Sequence, residues 1–312
     1  MRNINCGNQA EVTAKDKNAG GILGVDMMSA AKITMTNVYS VGAIKGANEN
    51  GGLSGWAGDG PNISNAYSIS EVEGSNSSSF IRSNGMNGNN TFGKDQITDE
   101  MLASGELCYK LGAAFGQLIG TDNYPVFGSA PVNYVGETGY ATLYDTTTGY
   151  TLNGNVKAYA ATIATGKTEK QEEYKYIELT EVENVPASTP VVLMGKYYNK
   201  TAKDLDALNI ANDLKGTDDD TEADGTMYVL AKKDDKVGFY KAEGTIPAGK
   251  AYYQSASGVK AFYFDFAGDA TGIAEIENGK LKVESSIFNL AGQRVNKMQK
   301  GINIVNGKKV LF

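Results

Sequence analysis

The chain has 312 residues, 38 of them Gly and only 6 Pro, with 29 basic and 36 acidic groups and no His. A net charge of -7 argues against nonspecific nucleic-acid binding, which rests on neutralising phosphates. The lack of His removes Ser-His-Asp and Cys-His catalysis, and two cysteines, Cys6 and Cys108, cannot make a four-thiolate zinc site.

The length fits about two domains. Tyr at 18 outnumbers Phe at 10, and the Gly-rich background favours short strands joined by turns. No apolar run of about 18 residues is present, so no membrane-spanning segment is expected. The charge is uneven: residues 131–270 carry 14 basic and 21 acidic groups, residues 271–312 carry 7 and 3. The basic tail alternates lysines with apolar residues, which reads as a solvated strand face. Cys6 and Cys108 are expected as two buried thiols rather than a disulfide. The opening MRNINCGNQAEV has no apolar core of the kind a signal peptide needs.

Residues 1–96 contain an internal repeat. AGGILG at Ala19 recurs as NGGLSG at Asn50, 31 residues on, and NVYSVGAIKG at Asn37 recurs as NAYSISEVEG at Asn65, 28 residues on. INCGNQAEV at Ile4 is an earlier partial copy. Each unit reads as strand, Gly turn, strand, with small inward residues. One unit cannot bury its own apolar positions, so neighbours must stack. The array opens mid-pattern, which gives the expectation that Met1 is an internal start and that the array is truncated there.

Gly51, Gly52, Leu53 and Gly55, with Asn37, Tyr39, Ser40, Gly42, Ile44 and Gly46, carry the pattern G-G-L-x-G and N-x-Y-S-x-G-x-V-x-G. This resembles the GLUG-type repeats of bacterial surface proteins. The resemblance implies β-solenoid coils, found in adhesin-like proteins and beside secreted peptidases. Ser70 stands where the pattern has Gly.

Residues 75–95 read as an exposed polar loop. In 97–130, ITDEMLASGELCYKLG predicts a short amphipathic helix with Thr98 as N-cap and Gly112 as its end, placed to cap the open end of the stack. From Gly139 the period changes to two. Strands are expected near 140–144, 156–163, 174–181, 190–194, 227–232, 238–241, 250–254 and 260–265, which argues an antiparallel sandwich or barrel over 138–270. The segment 202–214 reads as one or two helical turns, or as loop. Two matched pieces organise this region. VPASTPVVLMG from Val185 and TIPAGKAYY from Thr245 each run from a proline turn into an apolar strand. Their order resembles a β-sandwich module of Bacteroidetes secreted proteins, a resemblance that implies no activity.

The module 271–312 ends in IFNLAGQRV and GINIVNGKKVLF, and Asn306-Gly307 is a two-residue hairpin signal. Gly292, Gly301, Asn306, Gly307, Lys308 and Lys309 belong to a phrase that resembles the C-terminal sorting domain of type IX secretion in Bacteroidetes. Asn303 stands where that family has Tyr. The resemblance implies export machinery as partner and an extracellular or cell-surface location.

Candidate chemistry is sparse. Asp218, Asp220 and Asp224, in the loop TDDDTEADG, could offer oxygens to calcium, with a solvated loop as the alternative. No other cofactor is implied. Glu178 and Asp265 lie in strand candidates, but sequence does not bring them together as an acid pair. Tyr144, Tyr150, Tyr252, Tyr253 and Trp56 could form a sugar-stacking surface or simply pack. The expectation is therefore mainly all-β: β-solenoid coils, a short capping helix, an antiparallel β-sandwich and a small C-terminal β-hairpin module. Its role would be noncatalytic, as adhesion or spacer modules of an exported surface protein, with surface glycan or a host protein as partner. The alternatives are the accessory end of a secreted peptidase or glycan hydrolase, and a carbohydrate-binding module.

Overall fold

The computed structural model describes residues 2–26, 33–58, 62–82, 97–167, 171, 173–233 and 236–265, and the backbone of short strands at Asn87–Phe92 and within 275–311. Strands take 49% of the chain and helices 5%, which makes the class mainly β, and none of the several sheets is closed.

The first part is built from parallel rows. Arg2–Asn8, Thr34–Ser40, Asn62–Ser68 and Asn87–Phe92 form one parallel four-stranded sheet. Leu23–Asp26 runs parallel to Ser54–Ala57, and Val12–Thr13 to Ile44–Lys45. The offsets are the repeat lengths read from sequence: Gly20 meets Gly51, and Val38 meets Ala66. The partial copy at Ile4 is a row of the same kind, with Ile4 opposite Thr36 and Cys6 opposite Val38.

An asparagine interrupts three of these strands at the same place. Asn5, Asn37 and Asn65 have φ of 54°, 52° and 56°. Asn tolerates this left-handed region better than other side-chain-bearing residues. The three carboxamides then stack. Asn37 Nδ2 donates to Asn5 Oδ1 at 3.0 Å, and Asn65 Nδ2 donates to Asn37 Oδ1 at 2.9 Å. Another carboxamide, that of the fully buried Asn50, ties three rows together. Its Oδ1 accepts the Ala19 amide at 2.9 Å, and its Nδ2 donates to Gly46 O at 3.0 Å and Glu73 O at 2.7 Å.

Ile33, Met35, Val38, Leu53, Ile63 and Phe80 fill the space between the rows. Ser40, Ser54, Ser68 and Ser70 are the expected small inward residues, all fully buried. The double glycines follow from them. A Cβ at Gly21 would lie 2.1 Å from Ser40 Oγ, and one at Gly52 2.0 Å from Ser68 Oγ.

The expected single helix is two, Asp99–Ala103 and Glu106–Leu111, because Gly105 between them has φ 84°. Thr98 is the N-cap, its Oγ1 accepting the Met101 amide at 3.2 Å, and Gly112 ends the second helix. Leu102, Leu107, Cys108, Leu111 and Phe115 pack against Tyr39 and Tyr67 from successive rows. Gln9 Nε2 and Tyr39 Oη both donate to Pro125 O. The closing segment therefore lies along the side of the rows, touching three of them, where the sequence placed it over their end. Both cysteines are free; Cys108 is buried and Cys6 half-buried. Burial, with the Asp122 charge second, pushes the Cys108 thiol up to about 12.

The second part holds a nine-stranded sheet. Its spatial order is Tyr140–Leu143, Val191–Met194, Lys157–Lys167, Glu173–Val182, Ala261–Asp265, Lys236–Lys241, Met227–Lys233, Ala251–Gln254 and Leu214–Gly216. A smaller sheet joins Asn184–Val185, Tyr150–Gly154, Tyr197–Ala202 and Asn133–Tyr134. Every pairing in the large sheet is antiparallel except one. Glu173–Val182 and Ala261–Asp265 run parallel, a departure from the expected all-antiparallel pattern. Tyr150, Val185 and Tyr198 of the small sheet share a core with Ala158, Val191 and Leu193 of the large one. The other face of the large sheet buries Ile177, Val192, Tyr228, Phe239 and Phe262. The sheet curls so that its far strands approach: Tyr144 N donates to Gly249 O at 2.9 Å, and Ala251 N to Thr142 Oγ1 at 3.0 Å.

The two matched pieces have one geometry. Asn184–Val185 leads through Pro186 into Val191–Met194, and Thr245–Ile246 leads through Pro247 into Ala251–Gln254. Their turns carry Ser188 and Gly249 at φ 59° and 75°. Segment 202–214 contains no helical turn. Asp213 N donates to Ala161 O at 2.8 Å and Asn212 Nδ2 to Pro190 O at 2.8 Å, which holds it extended along the sheet until Leu214–Gly216 joins the edge.

Asn199 fastens the two parts. It is fully buried; its Oδ1 accepts the Ile119 amide at 2.8 Å, and its Nδ2 donates to Gln117 O at 2.9 Å and Pro131 O at 2.8 Å. Asn199→Ala leaves an amide and two carbonyls without these partners and is expected to cost about 2–4 kcal/mol in urea unfolding. The ladder predicts an ordering of two variants. Asn37→Ala should cost about 2–4 kcal/mol, because it loses two side-chain bonds and places Cβ in a left-handed backbone. Asn37→Gly should cost about 1–2 kcal/mol, since Gly relieves the backbone. Equal losses would mean that the left-handed geometry carries no weight.

Candidate binding surface

Three tyrosines from separate elements meet beside the Asn199 joint. Tyr134 and Tyr197 are directly opposite in the antiparallel pairing of Asn133–Tyr134 with Tyr197–Ala202, so their rings stack at 5.1 Å and 23°. In the helix Glu106–Leu111, the residues Leu107, Cys108 and Leu111 face the core, which turns Tyr109 outward. Tyr109 keeps 45% of its surface exposed and lies 5.1 Å from the Tyr134 ring and 5.7 Å from the Tyr197 ring.

Charged groups of both signs rim these rings. Tyr134 Oη donates to Glu137 Oε1 at 2.6 Å, Lys196 Nζ donates to Glu137 O at 2.9 Å, and the Lys196 ammonium is 5.7 Å from the Tyr134 ring centre. Glu106 and Lys110 pair at 2.7 Å one helical turn apart. The Glu137 carboxylate, through that hydrogen bond, raises the Tyr134 phenol to about 12. Tyr197 is raised to about 12 first by burial and then by the charges of Glu106 and Glu137. Both phenols thus stay protonated at neutral pH and keep their hydroxyls as donors.

The aromatic residues singled out from sequence do not gather here or elsewhere. Tyr150 is buried between the sheets, Trp56 lies 4.8 Å under the Arg82 guanidinium, Tyr144 covers Gly216, and Tyr253 packs on Phe262. Residues 109, 134 and 197 carry no common sequence motif; the strand pairing of Tyr134 with Tyr197 unites two of them and is too short to read from periodicity, and Tyr109 joins them from a helix.

The acidic loop is partly strand. Thr221–Glu222 pairs with Thr245–Ile246. Asp220 Oδ1 accepts the Ala248 amide at 3.0 Å, and Asp224 Oδ1 accepts the Thr226 hydroxyl and amide, which hold its carboxyl below the usual range. Asp218 is exposed on the same loop. Among the described residues, no three or more His, Cys, Asp or Glu groups are gathered to hold a metal ion. Glu178 and Asp265 are Cα partners in the one parallel pairing of the large sheet, a proximity the sequence could not show. In the tail, Val305 stands opposite Lys308 in a hairpin of Ile302–Val305 with Lys308–Leu311, the pairing that a two-residue loop gives. Gly292, Gly301, Asn306 and Gly307 lie outside the described residues, and for Lys308 and Lys309 only the strand backbone is described.

Among the described residues no helix is long and apolar enough to cross a membrane. Comparison with protein-family models, with curated proteins and with solved structures finds no match to the chain.

The rim makes a prediction about titration. Phenolate absorbance during an alkaline titration should show Tyr134 ionising late, near 12. Glu137→Gln removes the carboxylate, so Tyr134 should move toward the ordinary phenol value of about 10 and Tyr197 should follow by a smaller step. An unchanged curve would mean that Glu137 does not hold the Tyr134 hydroxyl.

Proposed function

We propose that this chain is a noncatalytic part of an exported bacterial surface protein. Residues 1–96 act as a β-solenoid of GLUG-like coils, 138–270 as a β-sandwich, and 271–312 as a sorting or attachment tail. One observation carries the reading: three successive rows, offset by 32 and 28 residues, pair parallel and in register, and each has a left-handed asparagine at the same place. Rows of one shape stack at about 4.8 Å per row, so such an array sets a distance and presents a long side face. That suits a spacer or adhesion element. The shared core of the two sheets in the second part supports the sandwich. A carbohydrate-binding role for the second part draws support from the exposed tyrosine cluster.

The test is fractionation of a Bacteroidetes host expressing the protein with and without residues 285–312. The intact form is expected at the cell surface or in the medium, and the shortened form inside the envelope. Equal surface exposure of both would remove the export role of the tail.

A further inference from the structure

We propose that Tyr109, Tyr134 and Tyr197 form a binding platform for the pyranose ring of a neutral glycan. The ring face of a hexose is a patch of C–H groups edged by hydroxyls. It is recognised by an exposed aromatic surface with hydrogen-bonding groups at its border. Tyr109 supplies the open surface, at 45% exposure. The stacked pair Tyr134 and Tyr197 packs against it at 5.1 and 5.7 Å with rings tilted by 43° and 50°, so the platform is preformed and costs little ordering on binding.

The border selects the ligand. Glu137 and Lys196 border the Tyr134 ring, and Glu106, whose charge acts on Tyr197, is balanced by Lys110 at 2.7 Å on the helix that carries Tyr109. They supply acceptors and donors for sugar hydroxyls without a net charge, which favours a neutral sugar over a uronic or sulfated one. The cluster also joins three segments distant in sequence, so its geometry exists only when the two parts are docked. The inference deepens the adhesive reading above, but its test uses the purified chain and does not depend on export.

The full chain is titrated calorimetrically with cellohexaose, xylohexaose and mannohexaose at up to millimolar concentration. At least one is expected to bind. Tyr109→Ala should then weaken it at least about tenfold, Tyr109→Phe should retain it, and Tyr263→Ala, at an exposed tyrosine elsewhere, should leave it unchanged. A saturating amount of the bound sugar should protect Tyr109 of the unaltered chain from nitration, read by peptide mass. This second measurement stands even if Tyr109→Ala misfolds. No binding by any of the three sugars, or nitration of Tyr109 undiminished by saturating sugar, would overturn the proposal. So would a folded Tyr109→Ala with full affinity, whatever the outcome of fractionation.

Discussion

Buried carboxamides meeting backbone groups are the interaction on which both halves depend. A strand ladder satisfies its own amides and carbonyls, but the bends between strands do not. At Asn50 and Asn199 those bends are buried, and one side chain must accept an amide and donate to two carbonyls at once. Only Asn and Gln carry both functions on one rigid plane. An ionised Asp could accept but not donate, and would bring a charge into a fully buried site. Ser is too short to reach two neighbouring rows. The choice of Asn is therefore dictated by the count of orphaned groups, and replacing it removes several bonds together.

The ladder of Asn5, Asn37 and Asn65 works differently. Here the backbone conformation comes first, and the side chains stack because each lies at the same left-handed bend. The bend lets Met35 and Val38 both enter the core, although strict alternation would put them on opposite faces. It also brings Tyr39 and Tyr67 to the far side, where they receive the helices. One repeated residue thus decides both what fills the rows and what covers them. Asn65 extends the effect, since its Nδ2 donates to Lys110 O at the end of the second helix. That helix carries Tyr109, so the array places the first ring of the tyrosine cluster.

The repeat lengths and eight of the strands in the second part were legible because they rest on local pattern: recurring Gly-Gly and Asn-x-Tyr-Ser, and apolar alternation. Tyr150–Gly154 was hidden because Asn153 and Gly154 are turn-favouring residues, while in the structure they pair with Asn199 and Tyr198. Tyr197–Ala202 was hidden by its charged end. Segment 202–214 has helix-compatible spacing, but Asn212 and Asp213 bond across to Pro190 and Ala161, and tertiary contacts override the local preference. The tyrosine cluster was not legible at all. Its rings come from a helix, a two-residue strand and a strand start, which meet through tertiary contacts alone.

The parallel pairing has a mechanical consequence. Ala261–Asp265 is the last strand of the second part, and it lies inside the large sheet, between Glu173–Val182 and Lys236–Lys241. A chain leaving from an edge strand can be peeled away one hydrogen bond at a time. A chain leaving from an interior strand, bonded on both sides and covering Phe262 in the core, must shear two ladders and uncover that ring together. If 271–312 holds the protein to a surface, a pull on that attachment is met where the sheet resists most. An all-antiparallel meander would have ended on an edge. The single parallel crossover, the feature that sequence pattern missed, is what makes the exit strand an interior one.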